Sequence, residues 1–150
     1  MKEISWDKPL LEGGGIASLI PQRDPIVLVD RFYGMDKDGS YTALKIEPST
    51  LFCRDGRFDE CGLTEHIAQS AAVRMGYLYC RKGEKIPTGF IGSVDKMKYY
   101  ALPCVGDDLH TCVRVIQEVF DITLISAEVW VGEKRIADGR LKIFLKKEEA

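Results

Sequence analysis

The sequence predicts an α+β domain in which a curved antiparallel sheet wraps around one long helix. Three observations carry this expectation. From Gly62 to Lys82, apolar residues recur at spacings of three and four (Leu63, Ile67, Ala71, Met75, Leu78), which is the period of a helix with one buried stripe. A hairpin pattern precedes that stretch. Four strand-like runs follow it.

In chain order, Gly13-Gly14-Gly15 separates a polar N-terminal arm, about residues 1–15 and expected to be flexible, from a single domain that fills the rest of the 150 residues. Ile16 to Ile20 suits one helical turn that stops at Pro21, because proline disfavours a helical residue before it. The β-branched run Ile26-Val27-Leu28-Val29 reads as a first strand, Asp36-Lys37-Asp38-Gly39 as a turn, and Tyr41 to Ile46 as the returning strand. In the long helix, Ala68, Ser70, Ala71, Ala72 and Gly76 let other backbone approach closely, and Gly83 is placed to end it. After Pro87 come strands over Phe90 to Tyr100, Leu109 to Val119, Ile122 to Val131 and Arg135 to Leu145. Turns fall at Gly106-Asp107, Asp121 and Gly132-Glu133. In the last strand Leu141, Ile143 and Leu145 alternate with Lys142, Phe144 and Lys146, the pattern of a sheet with one fully buried face.

Composition narrows the function. With 45% hydrophobic and 29% charged residues the chain is an ordinary globular protein able to bury its own core. A net charge of −2 supplies no basic footprint, so nucleic acid is not expected as a partner. The five cysteines are odd in number and contain neither a C-x-x-C pair nor zinc-ligand spacing, which suits reduced thiols in the cytoplasm and no metal. No apolar run approaches a membrane span and the first residues lack a signal core, so the expected location is cytoplasmic, with no membrane partner. A P-loop, a dinucleotide-binding glycine pattern and a nucleophile elbow are all missing from the sequence, and no cofactor is expected.

The segment Leu19-Ile20-Pro21-Gln22-Arg23-Asp24-Pro25-Ile26-Val27-Leu28-Val29-Asp30-Arg31 resembles the opening signature of the bacterial 3-hydroxyacyl-[acyl-carrier-protein] dehydratases, a leucine-proline-histidine-arginine box leading into leucine-valine-aspartate-arginine. Three further matches keep the family's order. Glu65-His66-Ile67-Ala68-Gln69 is similar to its helix motif, Ala101 to Leu109 to its proline-glycine-aspartate turn, and Gly132 to Gly139 to its last hairpin. The resemblance runs from about Ile16 to Leu145. It implies the hot-dog fold, a dimer with acyl-thioester sites at the subunit interface, and an acyl chain tethered to the phosphopantetheine of an acyl carrier protein. The shortened loop before the helix is most similar to the dehydratase-like subunit found with aryl-polyene pigment synthesis.

Eliminating water from a 3-hydroxyacyl thioester requires a base for the proton beside the carbonyl, an acid for the departing hydroxyl, and donors for the enolate-like oxygen. In the resembled family a loop histidine and a helix carboxylate from opposite subunits do this work. Glu65 stands at the carboxylate position, where a helix start would favour an anion. At the loop position the sequence reads Gly56-Arg57-Phe58, so arginine replaces the histidine, and a guanidinium is no base near neutral pH. Arg57 is then a candidate for substrate binding.

His66 is the substitute base to test, with a structural histidine as the alternative; His110 suits packing in a strand. Gln69 lies one turn beyond Glu65, placed to orient the carboxylate or the thioester, or equally to bond backbone in the core. Gly62 and Leu63, at the helix entrance, are candidate N–H donors to a thioester oxygen. Arg54, Arg57, Arg74, Arg81, Lys82, Lys85, Lys96 and Lys98 are candidate cations facing an acidic carrier or its phosphate, or simply solvated surface charges.

Three functions remain open on these residues. The first is a 3-hydroxyacyl-carrier-protein dehydratase or one subunit of it, the chain being a homodimer or a heterodimer with a related hot-dog subunit that brings the missing histidine. A non-catalytic acyl-binding or scaffolding subunit is the second. The third is a hot-dog acyl thioesterase.

Overall fold

The computed structural model describes residues 4–146. It contains β1 (Leu11–Glu12), α1 (Gly14–Ala17), β2 (Arg31–Met35), β3 (Ser40–Lys45), β4 (Cys53–Arg54), β5 (Arg57–Phe58), α2 (Glu60–Arg81), β6 (Thr88–Tyr99), β7 (Asp108–Val119), β8 (Ile122–Val131) and β9 (Lys134–Lys146). Seven strands form one antiparallel sheet in the order β1-β2-β3-β7-β8-β9-β6, and β4 pairs only with β5. The long helix and antiparallel sheet are those of an α+β hot-dog fold, as the sequence predicts.

The helix is held from two sides. Leu63, Ile67 and Ala71 pack with Leu109, Val113, Ile125, Val129 and Leu141 of the sheet, while Val73 packs with Ile16, Leu19, Ile20 and Phe32. At Gly76 a Cβ would stand 2.2 Å from the Leu19 carbonyl oxygen, so the crossing of α2 with the N-terminal segment requires glycine. The helix starts two residues before the expected Gly62 because Asp59 caps it: Asp59 Oδ1 accepts the Gly62 N–H at 2.8 Å. It ends as expected at Gly83 (φ 69°), where the Gly83 and Glu84 N–H groups donate to the Cys80 and Tyr79 carbonyls in a Schellman arrangement.

Several expectations change. Ile26 to Val29 belongs to no strand, and the Ile26 N–H closes a turn onto the Arg23 carbonyl; β2 begins at Arg31. The reason is local, since side chains of α2 take the backbone groups that a neighbouring strand would otherwise bond. The Leu28 N–H donates to Gln69 Oε1 at 2.6 Å, the Leu28 carbonyl faces His66 Nδ1 at 2.6 Å, and Gln69 Nε2 donates to the Ile26 carbonyl at 2.7 Å. The helical turn expected over Ile16 to Ile20 runs instead from Gly14 to Ala17. Gly56-Arg57-Phe58 is no irregular loop but the turn and second strand of a hairpin, for Asp55 (φ 53°) and Gly56 (φ 76°) both adopt the positive φ that a two-residue hairpin turn needs. The expected N-terminal arm contains β1 against β2, and the Trp6 ring stacks on His110 with centroids 4.0 Å apart.

Of the three residues expected on the buried face near the end of β9, Leu141 is fully buried but Ile143 and Leu145 are half-buried, because a cleft rather than a packed layer lies beneath them. The two sheet edges differ. β1 is 2 residues long, whereas β6 is 12 residues long and presents Phe90, Ile91, Val94 and Tyr99 to solvent.

Candidate active site

Small side chains at Ala68, Ala71 and Ala72 leave room beside α2, and a cleft of about 740 Å³ opens there. Its walls are α2, residues 17–23, and strands β6 to β9, contributing Met75, Leu78, Ile125, Ile143 and Leu145 among others. Glu65 is on the wall at one end. Because the helix starts at Glu60, Glu65 stands in the second turn, beyond the first turn in which the helix dipole acts strongly, so the expected dipole stabilisation falls on Glu60 instead.

What fixes Glu65 is Gln69. The fully buried Gln69 side chain has its oxygen assigned by the Leu28 N–H, which can only donate, so its NH2 group points at the Ile26 carbonyl and at Glu65 Oε1, 3.0 Å away. Every bond of the amide is used to set its orientation. Glu65 Oε2 makes no hydrogen bond among the described residues. An oriented carboxylate with one oxygen available in a largely apolar cleft is suited to proton transfer.

His66 is elsewhere. Its side chain is fully buried, with Nδ1 2.6 Å from the Leu28 carbonyl and Nε2 2.7 Å from Thr111 Oγ1. The carbonyl can only accept, so Nδ1 carries the proton and Nε2 accepts from the Thr111 hydroxyl. Burial pushes its pKa down to about 4, against smaller opposing effects from the Leu28 carbonyl and Asp30, and the ring is neutral at pH 7. Both nitrogens are committed and His66 is not on the cleft wall, which corrects the expectation of a substitute base. His110 lies on β7 between Trp6 and Asp108, away from the cleft.

The expected N–H donors are likewise used. The Gly62 N–H is bonded to Asp59 Oδ1 and the Leu63 N–H to the Asp59 carbonyl at 3.0 Å, so neither is free for a thioester oxygen. Gly62 has a packing role: a Cβ there would meet the Phe58 ring at 2.6 Å. Arg57 is exposed on β5, and the hairpin is docked onto residues 103–105 through the Phe58 N–H to Pro103 and the Val105 N–H to the Gly56 carbonyl. It is not among the residues lining the cleft, whereas Arg74 and Lys82 are. Of the six candidates, Glu65 and Gln69 come together; Arg57, Gly62, Leu63 and His66 do not join them.

Sequence reasoning missed Asp59, whose cap three residues before Gly62 was visible as a helix-start signal. It also missed Thr111, Glu118 and Thr123, whose positions depend on strand register. Among the described residues, no group of three histidine, cysteine or acidic side chains could hold a metal, and no helix is long and apolar enough to cross a membrane.

Comparison with known proteins agrees with this architecture. The model of a family described as ApeP-like, ApeP dehydratase, matches residues 14–150. The 3-hydroxyacyl-[acyl-carrier-protein] dehydratase FabZ of Clostridium kluyveri is 26% identical over 136 residues, 87% of this chain and 92% of that protein. FabZ of Ruminiclostridium cellulolyticum is 24% identical over 144 residues, covering 92% and 99%. The solved dehydratase heterocomplex ApeI:P from Xenorhabdus doucetiae is similar with a TM-score of 0.82 at 14% identity, over 89% of this chain and 91% of that one. A hypothetical thioesterase from Streptococcus pneumoniae, solved with coenzyme A, gives 0.64 at 12% identity over 80% and 88%. At such identities the structural likenesses speak for the fold alone.

Proposed function

The chain belongs to the ApeP-like dehydratase family, and on that premise we propose that it is the carboxylate-bearing subunit of a two-chain 3-hydroxyacyl-carrier-protein dehydratase. The observation that carries this reading is Glu65 on the cleft wall, oriented by the buried Gln69 amide behind it, with both histidines bonded elsewhere. Glu65 moves a proton at the reacting carbons, and a histidine from a related hot-dog subunit completes the site. The proton beside the carbonyl and the 3-hydroxyl leave together as water, giving the 2-enoyl thioester.

The partner pairs along β6, whose free edge and exposed Phe90, Ile91 and Val94 suit extension of the sheet by a second chain. The same reading places the protein in the cytoplasm, acting on chains carried by an acyl carrier protein in fatty-acid or aryl-polyene synthesis. Arg57, exposed outside the cleft, then faces the carrier or the partner rather than the acyl chain.

The test is dehydration of a 3-hydroxyacyl-carrier-protein thioester, followed by mass spectrometry for loss of water, by the chain alone and with a histidine-bearing hot-dog subunit. Turnover only in the mixture, lost with Glu65→Gln, is expected. Turnover by the mixture that survives Glu65→Gln would make this chain a scaffolding subunit. Free thiol without enoyl product would make it a thioesterase.

A further inference from the structure

The cleft walls are largely apolar along α2 and the sheet; besides Glu65, Arg23 and Lys82, they carry one neighbouring pair of opposite charges, Arg74 and Glu118. Glu118 pairs with Thr123 across β7 and β8, and Thr123 pairs with Ile143 across β8 and β9, so these side chains form one row on the helix-facing side of the sheet. Arg74 comes down from α2 near that row, within the electrostatic reach of Glu118.

Arg74 makes no hydrogen bond and no ion pair with another described residue. It is partly withdrawn from water, and burial pulls its pKa below the ordinary guanidinium value while Glu118 pulls the other way. A guanidinium has five donors and no acceptor, so its unmet requirement is for oxygen atoms. Glu65 is nine residues earlier on the same helix. At ~1.5 Å per residue that is ~13.5 Å along the axis and half a turn around it, so the two charges stand on opposite edges of the cleft-lining stripe, with Arg74 midway between Glu65 and Lys82, where the stripe ends. With C–C bonds of ~1.5 Å, an extended chain of roughly ten carbons covers that length.

We propose that Arg74 is a specificity-determining residue that selects acyl chains carrying a neutral oxygen function, a hydroxyl or a carbonyl, near their far end over chains ending in methyl. The inference rests on the reading that the cleft holds an acyl chain whose thioester lies near Glu65. A neutral oxygen accepts from Arg74 without repulsion by Glu118, and a hydroxyl also donates to that carboxylate. A chain ending in carboxylate gains Arg74 but meets Glu118 as a like charge. A methyl end displaces water from the guanidinium without offering it an acceptor, which is the less favourable arrangement.

The experiment is calorimetric titration of the full chain with three pantetheine amides, in which NH replaces the thioester sulfur: decanoyl, 10-hydroxydecanoyl and 9-carboxynonanoyl. The 10-hydroxy probe is expected to bind about tenfold more tightly than the decanoyl probe, the scale of one charge-assisted hydrogen bond, with the carboxylate probe weaker than the hydroxyl. Arg74→Met should abolish the preference and leave decanoyl binding unchanged or tighter; Arg74→Lys should restore part of the preference. Equal binding of all three probes to the wild type, or a preference that persists in Arg74→Met, overturns the proposal while leaving the acyl cleft standing. Binding of none of them overturns the acyl-cleft reading and the proposal with it. The wild-type ranking decides the matter even if Arg74→Met fails to fold.

Discussion

On the cleft side of α2, Glu65 keeps one carboxylate oxygen without a partner among the described residues; on the sheet side the next residue, His66, has both ring nitrogens bonded and no exposure. A rotation of about 100° separates them on the helix. By residue type His66 is the better base near pH 7, yet its hydrogen bonds to Leu28 and Thr111 turn it into part of the scaffold, while the carboxylate faces the cleft. Reactivity here follows from which hydrogen-bonding positions are left open rather than from which residue is present.

The largest effect that sharpens this contrast is on rate. Glu65→Gln should lower turnover of the proposed two-chain dehydratase by about 10² to 10⁴, the range for one general acid or base, with the urea midpoint of the chain almost unmoved. His66→Ala should do the reverse. It leaves a void and strips the Leu28 carbonyl and Thr111 hydroxyl of their partner, for a loss of about 3 to 4 kcal/mol in urea unfolding. Retained turnover per folded molecule would establish His66 as structural, whereas a rate loss with intact stability would return it to the chemistry.

How far this contrast could be read from the sequence differs between the two residues. Glu65 and Gln69 are four apart on a strongly periodic helix, so their shared face followed directly from the spacing. The fate of His66 depended on Thr111, 45 positions away, and on the Leu28 carbonyl, 38 positions away, and no local pattern encodes either. The run Ile26 to Val29 has strand composition, but composition cannot show that a glutamine and a histidine of the helix take the place of a neighbouring strand. The Asp55-Gly56 turn and the Asp59 cap were legible signals, and each accounts for a difference between expectation and fold.

Acid weakens the fold through His66 in a defined window. The folded ring titrates at about 4 and an unfolded one near 6.5, so between these values the unfolded chain binds more protons and stability rises with pH. Lowering the pH from above 6.5 to about 4 should therefore remove roughly 3 kcal/mol through this residue, with no further loss from it below. His110, also held low by burial, acts in the same direction from a half-exposed position, and Asp108, held low by Arg31, loses its contribution only at lower pH. Urea unfolding of His110→Gln across this range should retain most of the slope; a flat profile would mean that His66 charges while folded.

The smallest effect concerns the hydroxyl behind the ring. Thr111→Val leaves Nε2 without its donor and should cost about 1 to 2 kcal/mol, with turnover per folded molecule unchanged. A comparable loss of rate would show that Glu65 feels the far side of the helix.

The attachment of Leu28 to the helix determines which parts of the molecule open together. Its amide is covered by Gln69 and its carbonyl by His66, so the segment after Pro25 cannot detach while α2 remains folded without stranding both side chains. In native-state hydrogen exchange the Leu28 amide should thus behave as a member of the helix, exchanging only in openings that also melt α2, although it belongs to no regular element. The N-terminal segment and the Glu65 carboxylate then share one cooperative unit, and a mutation that loosens the first will be felt as motion of the second.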